Sequence, residues 1–284
     1  MSPHAASPWI NGRKSTHVDY RDRGLHYGDG VFETMRVRGG RIRLLDYHLE
    51  RLFLGCRRLA LAGPARPALR RELERIAAGS GGTGHDEAVL KLIVTRGASS
   101  HRGYRPTGRE SCTRIVSVHD LPRGARADEA APVRLRLCAT PLGWNPRLAG
   151  LKTLNRLESV LARAEWKDVR IWEGLMQDAD ENIVCGTMSN LFIKRGSALM
   201  TPVLDRCGVA GVMRRWILAS AGELGLTPAE RRIRWKDLRE AEEVFMSNAV
   251  VGVRSAGSIQ RGAERLRCSR FDTADRLRAL LERV

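Results

Sequence analysis

The chain has 284 residues, a formal net charge of +17 and ordinary apolar content at 43%, enough for one large or two medium domains. No stretch approaches a membrane span, the N-terminal Met1-Ser2-Pro3-His4 has no apolar signal core, and none of the six cysteines is spaced Cys-x-x-Cys. A soluble cytoplasmic protein with scattered reduced thiols and no metal site is therefore expected. The charge could serve nucleic acid, but the arginines form no block or tail and only five Phe and four Tyr could stack on bases. It is read as arginine-rich composition and attraction for small anions, with a nucleic-acid binder as the rival.

In chain order, Trp9-Ile10 enters a hairpin turn at Asn11-Gly12, a pair that tolerates positive φ. A Gly-rich loop from Asp22 to Gly30 leads to a strand over 31–37, with Gly39-Gly40 as the next turn. Tyr27, Thr34 and Arg36 are expected to project toward one cavity. Asp46 is placed as the cap of a helix whose stripe is Leu49, Leu52, Phe53, Cys56, Leu59 and Ala60, with Arg51 off the stripe. A second amphipathic helix spans 67–78, a flexible loop 79–84, and strands 88–95 and 113–118.

Residues 121–132 are read as a linker between an N-terminal α/β domain over 1–120 and a larger domain over 133–284. The second domain opens with a strand at 133–137 and an irregular loop at 141–150. A helix is expected over 155–166, strands over 174–177 and 189–194, and a helix opened by Cys207-Gly208-Val209-Ala210-Gly211 and running to Leu224. Small residues before a helix expose backbone N–H groups to an anion. A strand at 243–246 precedes Ser247-Asn248-Ala249, and Asp272 is expected to cap a closing helix.

Only six of the 49 basic residues are lysine. Arginine neither forms a Schiff base nor loses its proton at working pH, whereas a desolvated lysine does both. Lys152 follows Gly150-Leu151 and precedes Leu154, which suits a desolvated amine.

Six segments, in order, resemble the fold type IV pyridoxal-phosphate enzymes of aminotransferase class IV. They are Tyr27-Gly28-Asp29-Gly30-Val31-Phe32-Glu33-Thr34, His48-Leu49-Glu50-Arg51-Leu52, the Lys152 stretch, Ser189-Asn190-Leu191-Phe192, Gly208-Val209-Ala210-Gly211-Val212-Met213-Arg214 and Ser247-Asn248-Ala249. Within that group, Leu148 to Glu158, Thr95-Arg96-Gly97, Arg102-Gly103-Tyr104 and Asn145-Pro146 most resemble the aminodeoxychorismate lyases.

The resemblance implies a two-domain α/β fold with pyridoxal 5'-phosphate at the domain interface, a homodimer, and conversion of 4-amino-4-deoxychorismate to 4-aminobenzoate and pyruvate. It makes Lys152 the Schiff-base lysine and proton shuttle and places Thr34 near the reacting carbon. Arg51, Val209, Ala210, Ser247 and Asn248 are assigned to the phosphate, and Tyr27, Arg36, Arg96 and Arg102 to the substrate. Counting back from Asn190, the family's glutamate at the pyridine nitrogen falls on Cys185, a departure. A D-amino-acid, branched-chain or amine transaminase would use the same fold, and a non-catalytic relative is the further alternative.

Overall fold

The computed structural model describes residues 7–80, 87–122, 125 and 131–284. Most of the expected linker and residues 81–84 of the expected flexible loop lie outside them. The chain forms two compact units, Met1–Pro122 with Leu151–Asn155, and Arg123–Gly150 with Arg156–Val284.

In the first unit, β1 (Trp9–Ile10) and β2 (Arg13–Lys14) form the expected hairpin, with Asn11 at φ 50° and Gly12 at φ 87°. A five-residue helix α1 (Arg23–Tyr27) is capped by the Asp22 side chain and ends at left-handed Gly28. It is followed by β3 (Gly30–Arg38), β4 (Arg41–Ile42), α2 (Leu45–Arg58), α3 (Arg66–Ala78), β5 (Glu87–Thr95) and β6 (Thr113–Asp120). The strands make one antiparallel sheet ordered β2-β1-β6-β5-β3-β4. Alternation along β3 and β5 sends Val31, Met35, Leu90 and Leu92 into one core with Leu49 and Leu52 of α2 and Leu69, Leu73 and Ile76 of α3.

Asp46 does not cap α2. The cap position is Leu44 in left-handed backbone, and Asp46 lies in the first turn, where it pairs with Arg70 of α3.

In the second unit a nine-stranded sheet runs β12-β11-β10-β13-β14-β7-β8-β9, with β15 paired to β14. Its strands are β7 (Val133–Leu137), β8 (Ile171–Gln177), β9 (Ile183–Gly186), β10 (Asn190–Arg195), β11 (Ala198–Pro202), β12 (Thr227–Arg231), β13 (Glu243–Asn248), β14 (Gly252–Arg261) and β15 (Glu264–Arg267). Its helices are α4 (Leu157–Ala164), α5 (Val212–Ser220), α6 (Trp235–Arg239) and α7 (Asp272–Leu281). Leu135, Leu175, Leu191, Met246 and Ile259 from five strands meet Trp235 and Leu238 of α6 in its core.

Three helices differ from expectation. α4 begins at Leu157, since Asn155 is held by Gly28 in the first unit. Gly208 to Gly211 remain a loop before α5, which gives way to a 3₁₀ turn at Ala221–Leu224. Asp272 does not cap α7. The buried Glu243 accepts from Thr273 N at 2.9 Å and Ala274 N at 2.8 Å, a cap supplied from β13.

Candidate active site

The segment carrying Lys152 lies along β3 beyond the reach of the short β4. Phe32 N donates to Lys152 O at 3.0 Å, Leu154 N donates to Gly30 O at 3.0 Å, and Thr153 bridges Val31. Asn155 fixes the segment's end by donating from Nδ2 to Gly28 O at 3.1 Å. A Cβ on Gly28 would come within 2.7 Å of Asn155 Oδ1, so that approach needs glycine as well as its φ of 63°.

The segment presents the half-buried Lys152 to a ring. Its Nζ stands 4.2 Å from the centroid of Phe32, and Lys91 Nζ of β5 stands 5.7 Å from the same ring. Thr34 is two residues beyond Phe32, hence on the same face, and is the register partner of Lys91. Two ammonium groups, a hydroxyl and an aromatic ring thus share one face of β3 and β5. Sequence reasoning passed over Phe32 and Lys91. The signal for Lys91 was present, because it is one of only six lysines and interrupts an otherwise apolar strand.

The opposite face of β3 carries Glu33 into the core beside Val31 and Met35. There it meets α2: His48 Nδ1 lies 2.6 Å from Glu33 Oε2, and Arg51 donates to the same carboxylate from Nε at 2.8 Å and from Nη2. Arg51 is therefore anchored, though it lies off the apolar stripe of α2. Burial alone would raise the Glu33 pKa. The Arg51 charge and its bond, helped by His48, overcome this and hold Glu33 at about 2.

The expected substrate arginines divide. Arg36 is buried and pairs with Glu87 across to β5 at 2.6 Å. Arg96 is committed to the fold. Nε and Nη2 donate to Asp29 at 2.7 and 3.0 Å, and Nη1 and Nη2 donate to the carbonyls of Ala60 and Leu59 at 2.7 and 2.8 Å. A guanidinium so used closes the end of α2 onto the loop before β3. Arg96→Ala is expected to cost about 2 kcal/mol in urea unfolding, because it leaves the half-buried Asp29 with Arg23 as its remaining arginine and removes the donor from two carbonyls. A loss under about 0.5 kcal/mol would contradict this role.

Arg102 is exposed on a loop whose next two residues are anchored to α1. Arg23 donates to Gly103 O at 2.9 Å and Tyr104 O at 2.7 Å, and Gly103 N donates to the Tyr27 hydroxyl at 3.3 Å. Tyr27 thus positions the neighbourhood of Arg102. Tyr27 faces the 103–104 loop, Thr34 shares the Lys152 face, and Arg36 is tied to Glu87.

The remaining expected residues lie in the second unit. Asn190 and Ser247 are cross-strand partners on β10 and β13. Asn190 Nδ2 donates to Val209 O at 2.9 Å and fills the space that a Cβ on Gly211 would need, 2.0 Å from Oδ1. Gly150 and Val209 form a parallel bridge in which Gly150 N donates to Gly208 O and Ala210 N to Gly150 O, both at 3.0 Å. The Ala210 N–H is therefore engaged within the loop. Asn248 Oδ1 accepts from Val250 N and Val251 N, both at 2.9 Å, and so builds the turn into β14.

Ser247 is different. Its Oγ is buried and has no hydrogen-bond partner among the described residues. A buried hydroxyl left this way suits an anionic ligand beside the loop that precedes α5.

Cys185 is buried on β9 opposite Met176, and burial, reinforced by Cys207 and Glu173, pushes its thiol up to about 12. Arg156 is the cation that acts on it. Nearby Glu173, which the sequence reading missed, accepts from Thr187 Oγ1 and Ser189 Oγ at 2.6 Å and from three backbone N–H groups. It holds the turn that delivers Asn190.

The amino-transferase class IV family model matches residues 30–259. The chain belongs to that family. Aminodeoxychorismate lyase of Vibrio harveyi is 34% identical over 252 residues, 88% of this chain and 90% of the relative. D-alanine aminotransferase of Listeria monocytogenes is 27% identical over 246 residues, 85% and 82% of the two. A crystal structure of 4-amino-4-deoxychorismate lyase from Pseudomonas aeruginosa matches with a TM-score of 0.88 and 42% identity, covering 97% of this chain and 98% of that one. The mixed α/β, fold type IV expectation holds.

Proposed function

We propose that this class IV chain is a pyridoxal-phosphate-dependent lyase that converts 4-amino-4-deoxychorismate to 4-aminobenzoate and pyruvate. The observation that carries the reading is its 42% identity with the Pseudomonas aeruginosa lyase along nearly the whole of both chains, against 27% with the aminotransferase. The Lys152 face supports it.

The residues fit a phosphate-bearing aldehyde cofactor. Lys152 is the amine for the aldehyde. Arg51 is the group proposed for the phosphate, and in the second unit, taken by itself, the buried Ser247 hydroxyl is a candidate for an anion. When bound, the cofactor supplies an electron sink for the substrate's amine-bearing carbon. Lys152 removes the proton from that carbon. The neighbouring carbon–oxygen bond breaks, the ring electrons close to an aromatic system, and the enolpyruvyl group leaves as enolpyruvate. Lys152 or the Thr34 hydroxyl then gives back the proton that makes pyruvate. Lys91 and Arg102 are the cations proposed to meet the two substrate carboxylates, since Arg96 is tied to Asp29 and Arg36 to Glu87.

The deciding experiment gives the cofactor-loaded protein 4-amino-4-deoxychorismate and follows both products. Equimolar 4-aminobenzoate and pyruvate is the expected result. Amine exchange between an amino acid and a keto acid without either product would establish the transaminase instead.

The working form proposed is a homodimer. On α4, Leu157, Val160 and Leu161 are 77%, 60% and 61% exposed, an apolar face at helical spacing. Leu157→Arg with Leu161→Arg is expected to halve the mass seen by light scattering. An unchanged dimer would move the interface elsewhere, and a monomeric parent protein would end the homodimer reading.

A further inference from the structure

Glu33 occupies a position that alternation along β3 reserves for core, between Val31 and Met35, and it is 1% exposed. His48 is equally buried, and it lies three residues before Arg51 on α2, so both side chains meet the same carboxylate. Arg51 offers Glu33 its side edge, Nε and Nη2. Because a guanidinium is planar, its end edge, which carries Nη1, then faces away from Glu33 in a fixed direction.

We propose that Glu33 and His48 are positioning residues, which lock the Arg51 guanidinium in the orientation that receives the cofactor phosphate. This rests on the reading of Arg51 given above and adds to it the pair that aims the arginine.

The two partners do different things. Glu33 grips the side edge, which removes the rotation about the last side-chain bonds that a free arginine would lose on binding. It also offsets part of the arginine's charge, so what it supplies is direction and not attraction. His48 donates from Nδ1 and fixes the carboxylate in turn. Burial, with the charges of Arg51 and Lys152 adding to it, lowers the His48 pKa against the pull of Glu33. A neutral imidazole holds the carboxylate without discharging it, so the grip on Arg51 is kept.

Comparison of two ligands separates aim from general damage. Cofactor-free protein is titrated with pyridoxal phosphate and with pyridoxal, which lacks the phosphate, and the ratio of the two Kd values is the readout. A misfolded or loosened protein weakens both ligands alike and leaves the ratio unchanged. Arg51→Ala sets the size of the effect. Glu33→Gln is expected to lower the preference for the phosphorylated ligand by about 10- to 100-fold, the scale of loss when groups that orient a ligand-binding residue are removed. His48→Leu should lower it in the same direction, and His48→Asn, which keeps a donor near the Nδ1 position, should restore most of it.

If Arg51→Ala lowers the ratio and Glu33→Gln leaves it unchanged or raises it, the positioning role is wrong and the phosphate role of Arg51 stands. If Arg51→Ala itself leaves the ratio unchanged, the reading of Arg51 fails and the proposal falls with it. Should Glu33→Gln not fold, the histidine pair decides, because equal ratios for His48→Leu and His48→Asn overturn the role.

Discussion

Lys152→Ala is expected to stop turnover, lowering release of both 4-aminobenzoate and pyruvate by at least about 10⁴-fold. Proton transfer by a placed side chain contributes roughly 10²- to 10⁴-fold, and in the proposed function Lys152 is also the amine that holds the cofactor. The fold should survive the change. Backbone bonds from Phe32 and to Gly30 hold the segment, and the side chain's contact over the Phe32 ring is worth about 1 kcal/mol.

Lys152→Arg separates two explanations of such a loss. It keeps a positive charge near Phe32 but cannot give up a proton, so it should be as inactive as the alanine variant. Appreciable multiple turnover by Lys152→Ala would remove Lys152 from its role. Lys91, above the same ring, would then be the amine to test.

The Lys152 stretch stood out because lysine is scarce among the basic residues and can do chemistry that arginine cannot. The hairpin at Asn11-Gly12 was legible because its chemistry is local, and the strands at 31–37 and 88–95 because alternation and apolar runs report the pleat directly. What stayed hidden depended on partners distant in sequence. Asp46 and Asp272 had the right chemistry for caps. The chain gave α2 a left-handed entry instead, and gave α7 a carboxylate from β13.

Arg96 matched a substrate arginine by motif, yet Asp29, Leu59 and Ala60 converge on it only in the fold. The Glu33–His48–Arg51 cluster did leave a trace. Glu33 falls on the core face of β3, and His48 precedes Leu49 and Leu52 on the inner side of α2. Charged or titratable residues at core positions need partners, and that requirement could have been read before any coordinates. The exposure of Leu157, Val160 and Leu161 could not, since apolar periodicity says that a face will be covered but not by what.

Cys185→Glu is expected to leave the lyase rate within about threefold while raising amine exchange with a keto acid at least about tenfold, a difference of about 1.4 kcal/mol in barrier. The buried thiol, held up to about 12, carries no charge at working pH; Glu173 and Glu158 are the anions that act on it and Arg156 the cation. Where the resemblance implies a carboxylate at the ring nitrogen, this chain carries a neutral thiol at Cys185, which would keep that nitrogen protonated less well. The cofactor is then a weaker electron sink. Elimination tolerates that weakness, because formation of an aromatic product supplies driving force as the carbon–oxygen bond breaks. Amine exchange has no such product and depends on the sink itself.

Arg156 would pair with the introduced carboxylate and keep it ionised. The larger side chain should cost about 1–3 kcal/mol in the packed cluster with Cys138 and Cys207. Urea unfolding checks that cost separately from the two rates. If neither rate moves in a folded variant, the thiol is not what sets the reaction. If the lyase rate rises tenfold or more, the electron sink limits elimination as well, and aromatisation is not sufficient to carry it.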